Sequence, residues 1–335
     1  MVEPATQLAN VPEEDGLLFG CVLNGDGSAQ LLNWQEVEAW KPDDAPLWIH
    51  LDRNVPRVHA WLREQSGLTQ PTIDALLADE TRPRVFRGKR GFVTILRGVN
   101  TNPDADPANM VTLRMWSDGH RVITIRRKKL LTPRDILSQL LETESGPRTA
   151  PDLYERIIHR ITERMAETIA SFGNQLDEIE EQFDLSRATE QRKQLSELRQ
   201  KTNILRRYIS PQREALSNLL IEPPDWFTGE CRLRLRETID GLLRYVEELD
   251  AVRERTMVIK DDIVNQMAES TNKTLYVLAI ISAIFLPLGF LTGLLGINIG
   301  GMPGVENPYA FWIATGMMGF LVGVEFWIFK KLKWM

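Results

Sequence analysis

Apolar and polar positions follow two different periods along this chain. In the first 150 residues the apolar runs are short and rich in β-branched and aromatic side chains: "GLLFGCVL" (16–23), "PLWIHLD" (46–52), "GFVTILRGV" (91–99), "MVTLRMW" (110–116) and "RVITIR" (121–126). Runs of this length and make-up predict strands. Between them "VPRVHAWLREQ" and "QPTIDALLADE" predict helices, with Pro56 and Pro71 near their starts, where a missing N–H costs least. Such a mixture predicts a sheet covered by helices, an α+β domain.

From residue 151 the spacing changes to three and four. Ile157, Ile161, Met165, Ile169, Phe172, Leu176, Ile179 and Phe183 form one apolar stripe; Leu195, Leu198, Thr202, Leu205 and Ile209 form a second, ending at Pro211. Both predict amphipathic helices. After "EPPDWFTG" (222–229) a third stripe runs through Ile239, Leu242, Val246, Leu249, Val252, Ile259, Ile263 and Met267. No proline or glycine interrupts 242–286, which predicts one unbroken helix; residues 230–295 would reach about 100 Å at ~1.5 Å per residue. The acidic stretch "DEIEEQFD" (177–184) reads first as a solvated helix tip and second as a cation-attracting site.

The end of the chain is different again. Leu275–Leu295 carries no charge and Ala310–Phe329 carries one, Glu325. Each matches the ~20 apolar residues that a helix needs to cross a bilayer core, and exceeds the usual buried core segment. Lys273 precedes the first run, Lys330, Lys331 and Lys333 follow the second, and 297–308 holds no Lys or Arg. The positive-inside rule then puts both termini in the cytoplasm. The predicted parts are an α/β domain at 1–150, long helices and a stalk at 151–273, spans at 274–296 and 309–330, an outer loop at 297–308 and a basic tail at 331–335. Glycines at 289 and 293, and at 319 and 323, have the spacing that lets helices approach closely; packing of the first span on the second accounts for at least one pair. Pro287, in mid-span, frees the carbonyl of Ala283, which needs a partner in protein or water.

Composition narrows the function. A net charge of -6 with 26% charged residues does not favour broad nucleic-acid binding, which calls for a basic surface. Cys21 and Cys231 are far apart, with no disulfide framework, as in a reducing compartment. The N-terminal "MVEPATQLANVPEEDG" lacks the basic start and apolar core of a signal peptide. No nucleophile elbow, P-loop or paired metal ligands point to an enzyme or a bound cofactor. His50, His59, His120 and His159 form no HxH or HxxxH pair, so each reads as an ordinary histidine. "RRKK" (126–129) reads as a solvated strand end, with anionic lipid or an acidic neighbour as the other options.

These parts, in this order, resemble the CorA-type metal ion transporters. The resemblance rests on Gly296-Ile297-Asn298 as the G-x-N signature, on "FLPLGFLTGLLGIN" before it, "MPG" just after it and the basic "KKLKWM" at the end, and it covers the full length. Most CorA-like magnesium channels carry Met at the middle position; Ile297, with "ETRPRV" (80–85), "SPQR" (210–213) and "GINIGGMPG", is similar to the ZntB branch of zinc transporters. The resemblance implies a homopentamer in the bacterial inner membrane, with cytoplasmic αβα domains forming a funnel and the first span lining the pore.

It also implies a ring of five Asn298 amides at the outer mouth. Amide and carbonyl oxygens can hydrogen-bond a hydrated divalent ion without stripping its water, and without net charge they let it leave. A helix C-cap is the other reading of Asn298. Glu306, the one charge in the outer loop, would form an anionic collar or simply be solvated. Counting back by turns gives Leu294, Leu291, Pro287, Ile284, Ile280 and Val277, an apolar lining able to gate by dewetting. Asn272, Asp262 and Asp261 follow at the inner end, as metal-coordinating rings or as a charged stalk surface. Glu325 is an intramembrane carboxylate, a default candidate for proton coupling; pairing with Lys330 at the interface is the plainer account. The substrate implied is a divalent cation, zinc first, and the ZntB likeness adds proton cotransport. A magnesium or cobalt channel gated by cytoplasmic metal is the rival within this class, and a membrane-anchored coiled-coil scaffold or sensor the rival outside it.

Overall fold

The strand-forming runs are buried because both faces of the sheet are covered. The computed structural model describes residues 14–79, 82–102, 105–296, 304 and 306–331. Seven strands, β1 (Leu17–Leu23), β2 (Ala29–Leu32), β3 (Leu47–Asp52), β4 (Arg84–Arg87), β5 (Phe92–Gly98), β6 (Val111–Ser117) and β7 (Arg121–Arg126), form one sheet in the order β2-β1-β3-β7-β6-β5-β4. Only β3 and β7, at the centre, run parallel; Ile49 stands beside Ile123 and His50 beside Thr124. A parallel pair needs a crossover, and the helices between its strands supply it.

On one face lie α1 (Trp34–Ala39), α2 (Pro56–Glu64) and α3 (Gln70–Leu77). Trp34, Val58, Trp61, Leu62, Ile73 and Leu76 pack there on Leu47, Ile49, Ile123 and Ile125. On the other face α5 (Ala150–Glu163) sets the Tyr154 hydroxyl against the Thr94 hydroxyl of β5. From α7 (Ala188–Ile221) the Gln212 side-chain oxygen accepts the Arg97 backbone N–H at 2.7 Å. The domain is therefore the αβα arrangement that the resemblance implies.

Several elements extend or correct the sequence reading. The short β2 and β4 and the helices α1 and α4 (Leu131–Leu141) join the predicted set. α1 begins with a capping box: Asn33 accepts the Glu36 N–H at 3.0 Å and Glu36 accepts the Asn33 N–H at 2.8 Å, which satisfies two otherwise orphaned donors. The first apolar stripe is two helices, α5 and α6 (Met165–Glu181), meeting at Arg164; Phe183 lies beyond them. The second does not end at Pro211, because α7 continues to Ile221. Proline deletes one helical hydrogen bond, and the fully buried Gln212 pins the next residue to the sheet. The acidic stretch is solvated, as its first reading has it, with Arg255 bonding the half-exposed Asp177 at 2.9 Å and Glu180 at 2.5 Å.

Buried His50 couples the central strands to pH. Its Nδ1 lies 2.9 Å from Thr124 Oγ1, which also takes the Trp48 Nε1–H at 3.0 Å and donates to Ile49 O at 3.0 Å. The hydroxyl proton is thus committed, so Nδ1–H donates. Burial, and then Arg126, hold His50 well below its usual range. Unfolding restores an imidazole of pKa about 6.5 that takes up a proton. Stability from this group is therefore complete above that pH and falls as pH drops toward the depressed folded value. The melting temperature should decline from pH 7 to pH 5, and His50→Gln should flatten that slope; an unchanged slope refutes the assignment.

The chain divides into two compact units, one ending at Lys260 and the other beginning at Asp261. α8 (Gly229–Leu295), a single helix of 67 residues, belongs to both, and α9 (Ala310–Lys331) to the second. The start of α8 is latched within the first unit. Trp226 stands edge-on to Tyr154 at 5.3 Å between centroids, and Gly119, at φ +93°, leaves the room its ring needs, since a Cβ there would lie 2.5 Å from Trp226. Arg234 is held by Glu155 and Glu230, each at 2.8 Å, and by Asp152.

Candidate ion pathway

The apolar end of α8 closes on the glycine of the G-x-N signature. Gly296 N–H reaches Thr292 O at 2.9 Å and Gly293 O at 3.2 Å, the tightening usual in a last helical turn. Thr292 returns its hydroxyl to Leu288 O at 3.0 Å and Gly289 O at 3.1 Å, so it presents no unbonded donor. Ile297 and Asn298 lie outside the described residues. Pro287 sits inside α8 without breaking it.

The predicted lining residues Val277, Ile280, Ile284, Pro287, Leu291 and Leu294 all lie on α8 at alternating steps of three and four, which places them along one side. Ile280, Ile284, Pro287 and Leu291 are half-buried, whereas Val277 and Leu294 at the two ends are exposed. Phe285, Leu286 and Phe290, off this stripe, are each at least 67% exposed, a surface suited to hydrocarbon. Leu288, Gly289 and Thr292 line a mostly apolar groove with Thr315, Gly319 and Val322 of α9. Gly289 and Gly319 border this groove, but a Cβ at either would meet nothing within 4 Å, so no close helix approach depends on them within one chain.

The polar candidates differ in setting. Asp261, Asp262 and Asn272 are exposed. Lys273 pairs with Glu269 at 2.9 Å along α8. Glu306 is exposed. Glu325 is half-buried on α9, and its Oε2 is shielded from solvent with no hydrogen-bond partner among the described residues. No Glu325–Lys330 ion pair occurs among those residues, while Lys331 lies 5.1 Å above the Trp327 ring. No group of three or more His, Cys, Asp or Glu able to hold a metal occurs among the described residues. His59 and His159 bond Arg53 O and Thr238 Oγ1 instead, at 2.7 and 3.1 Å. Both cysteines are buried and free.

One polar site in the first unit was not anticipated. A cavity of about 800 Å³ opens beside the sheet, lined by Arg97 of β5, Arg114 of β6, Arg127 and Lys128 after β7, and Arg207 of α7. "RRKK" is therefore not simply solvated: Arg126 is only 9% exposed, Arg127 lies 3.7 Å from Asp79 and Lys128 borders the cavity. The signal was an arginine inside each of two apolar strands, "TILRG" and "TLRMW", where a charge is costly unless it has work to do.

After the αβα domain come two helices, α8 and α9, each with a stretch long and apolar enough to cross a membrane. The family model for the CorA-like Mg2+ transporter protein matches residues 43–331. The divalent cation transporter CmaX of Pseudomonas aeruginosa is 38% identical over 96% of this chain and 98% of its own. The zinc transport protein ZntB of Pectobacterium atrosepticum is 32% identical over 96% and 97%. The solved structure of full-length CmaX superposes with a TM-score of 0.84 at 37% identity, covering 96% of this chain and 99% of that one. The chain belongs to the CorA-like Mg2+ transporter family, a family of divalent-cation transporters and not of enzymes.

Proposed function

We propose that this chain is one subunit of a homopentamer that carries divalent cations, zinc foremost, across the bacterial inner membrane, with both termini in the cytoplasm. The observation that carries the reading is the position of Gly296-Ile297-Asn298: the first residue of the signature closes the last turn of α8, at the end of an apolar stretch long enough to span. The stripe from Val277 to Leu294 lines the path, five Asn298 amides ring its outer mouth, and Glu306 adds an anionic collar there. Asn272, Asp262 and Asp261 ring the inner end. Zinc is favoured by Ile297 at the middle of the signature and by the relatives named as zinc transport proteins. The ion passes hydrated, since tight tetrahedral ligation by His, Cys or carboxylate would slow its release.

Proton coupling is assigned to Glu325. A carboxylate oxygen shielded from solvent and without a partner is costly to keep charged in an apolar span, so protonation and release can accompany a transport cycle. The test is flux into proteoliposomes carrying a zinc-sensitive dye, with and without an inward proton gradient. Zinc entry should rise with the gradient and exceed magnesium and cobalt entry. Flux that ignores the gradient and favours magnesium or cobalt would replace this reading with a channel of the magnesium type.

A further inference from the structure

The basic cavity of the αβα domain is built to take an anion. Arg82, Arg97, Arg114, Arg127, Lys128 and Arg207 line it, against one carboxylate, Asp79, among the described residues, in a chain whose net charge is -6. Asp79 is already engaged by Arg53 at 2.5 Å. A concentration of like charge in a negatively charged protein is unfavourable by itself.

Arg114 makes the cavity more than a charged surface. Its side chain rises from β6 into the lining, yet the residue is only 1% exposed. Nη2 donates to Ala78 O at 2.7 Å, while Nε and Nη1 are buried with no hydrogen-bond partner among the described residues. Burial first, then the charges of Arg53 and Arg97, push this guanidinium down to about 10. Nη2 also reaches Asp79 O at 3.3 Å; the two unpaired nitrogens of a buried guanidinium call for an explanation.

Two neighbouring cations are held in place. The Arg97 and Arg207 guanidinia lie 4.6 and 5.0 Å from the centre of the Tyr208 ring, within cation–π range. Arg97 also donates to Met110 O at 3.1 Å. Planar guanidinium forks match phosphate oxygens two at a time. The volume of about 800 Å³ lies within the range of organic-ligand pockets and leaves room beyond one small ion. The cations rise from the sheet, from the end of β7 and from α7, so a ligand with several charged groups can engage more than one wall.

We propose that this cavity binds a soluble polyphosphate anion, of the class of tripolyphosphate or a nucleoside triphosphate, held by the exposed Arg127, Lys128 and Arg207 with the buried Arg114 beneath them. The site reports on the αβα domain and stands apart from the choice of transported metal.

The test is isothermal titration calorimetry of the full-length protein in detergent, in chelated metal-free buffer, with tripolyphosphate and with ATP. Each should bind once per chain, and more weakly as salt rises. Arg127 and Lys128 are exposed, so an Arg127→Ala/Lys128→Ala variant should fold and should weaken binding about tenfold or more, the scale of a lost hydrogen bond to a charged group. Arg114→Gln should weaken it further. No heat from either titrant, or equal affinity in the Arg127→Ala/Lys128→Ala variant, overturns the proposal. So does retention by phosphatidylglycerol vesicles through these residues without binding of either soluble anion, which would make the ligand a lipid headgroup.

Discussion

Asn298→Ala should silence transport. In a pentamer the substitution removes five amides at once from the narrow outer mouth, and each is worth about 1 kcal/mol as a neutral hydrogen-bonding group. Together they amount to ~5 kcal/mol, or more than a thousandfold in rate if all five contact the passing hydration shell. Zinc flux into dye-loaded proteoliposomes should therefore fall to the leak of empty vesicles, while size-exclusion in detergent still shows the wild-type oligomer. Asn298→Asp makes the complementary case. Five carboxylates would bind the ion strongly and slow its exit, since conduction needs weak sites; flux should drop while metal retention rises. Wild-type flux in Asn298→Ala would reduce Asn298 to a helix cap.

Arg234→Ala should be the most damaging single change to the soluble domain. Arg234 lies where α8 leaves the loop after α7 and bonds Glu155 at 2.8 Å. Glu155 is 1% exposed, and its Oε1 has no partner among the described residues. Burial already raises its carboxyl above the usual range, with Arg234 opposing. Removing the guanidinium leaves a buried, uncompensated carboxylate. For a fully buried pair the loss is ~3–5 kcal/mol; because the Arg234 side chain is 31% exposed, a loss of about 2 kcal/mol is expected, scaled down for solvent screening. The melting temperature in detergent should fall by several degrees. Its sign with pH is fixed too. Losing Arg234 raises the folded carboxyl further above its unfolded value of about 4.3, so the variant gains stability relative to wild type as pH falls through that raised value. The gap should be widest at neutral pH and narrow toward pH 5. Glu155→Met combined with Arg234→Met should recover most of the loss, as apolar replacements of buried pairs do. A gap that ignores pH would show that Arg234 acts by packing alone.

The elements visible in the sequence are those whose burial pattern is strong. The strands around Trp48, Val93 and Ile123 are buried on both faces, so their runs are almost wholly apolar. α8 could be followed from Leu242 to Leu286 because no helix breaker interrupts it. β2 and β4 are four residues long and only partly covered, too short for a period to appear. α7 outlasts Pro211 because a contact across the fold, Gln212 with β5, holds it; nothing within the stripe announces that contact. The G-x-N signature was legible through family likeness, not through periodicity, and its last two residues lie outside the described part. The basic cavity was hidden for another reason: Arg97, Arg114 and Arg207 come from three distant segments, and only folding brings them together.

The one parallel strand pair has a consequence for biogenesis. β3 cannot find β7 until Arg126 has been made, so the middle of the sheet closes late by the standard of local contacts. Yet at about 5–20 residues per second the ribosome still needs several seconds or more to travel from there to the first spanning run at Leu275. Translation order therefore gives the sheet a head start, and a folded αβα body can already be attached to the nascent chain when its greasy end leaves the ribosome.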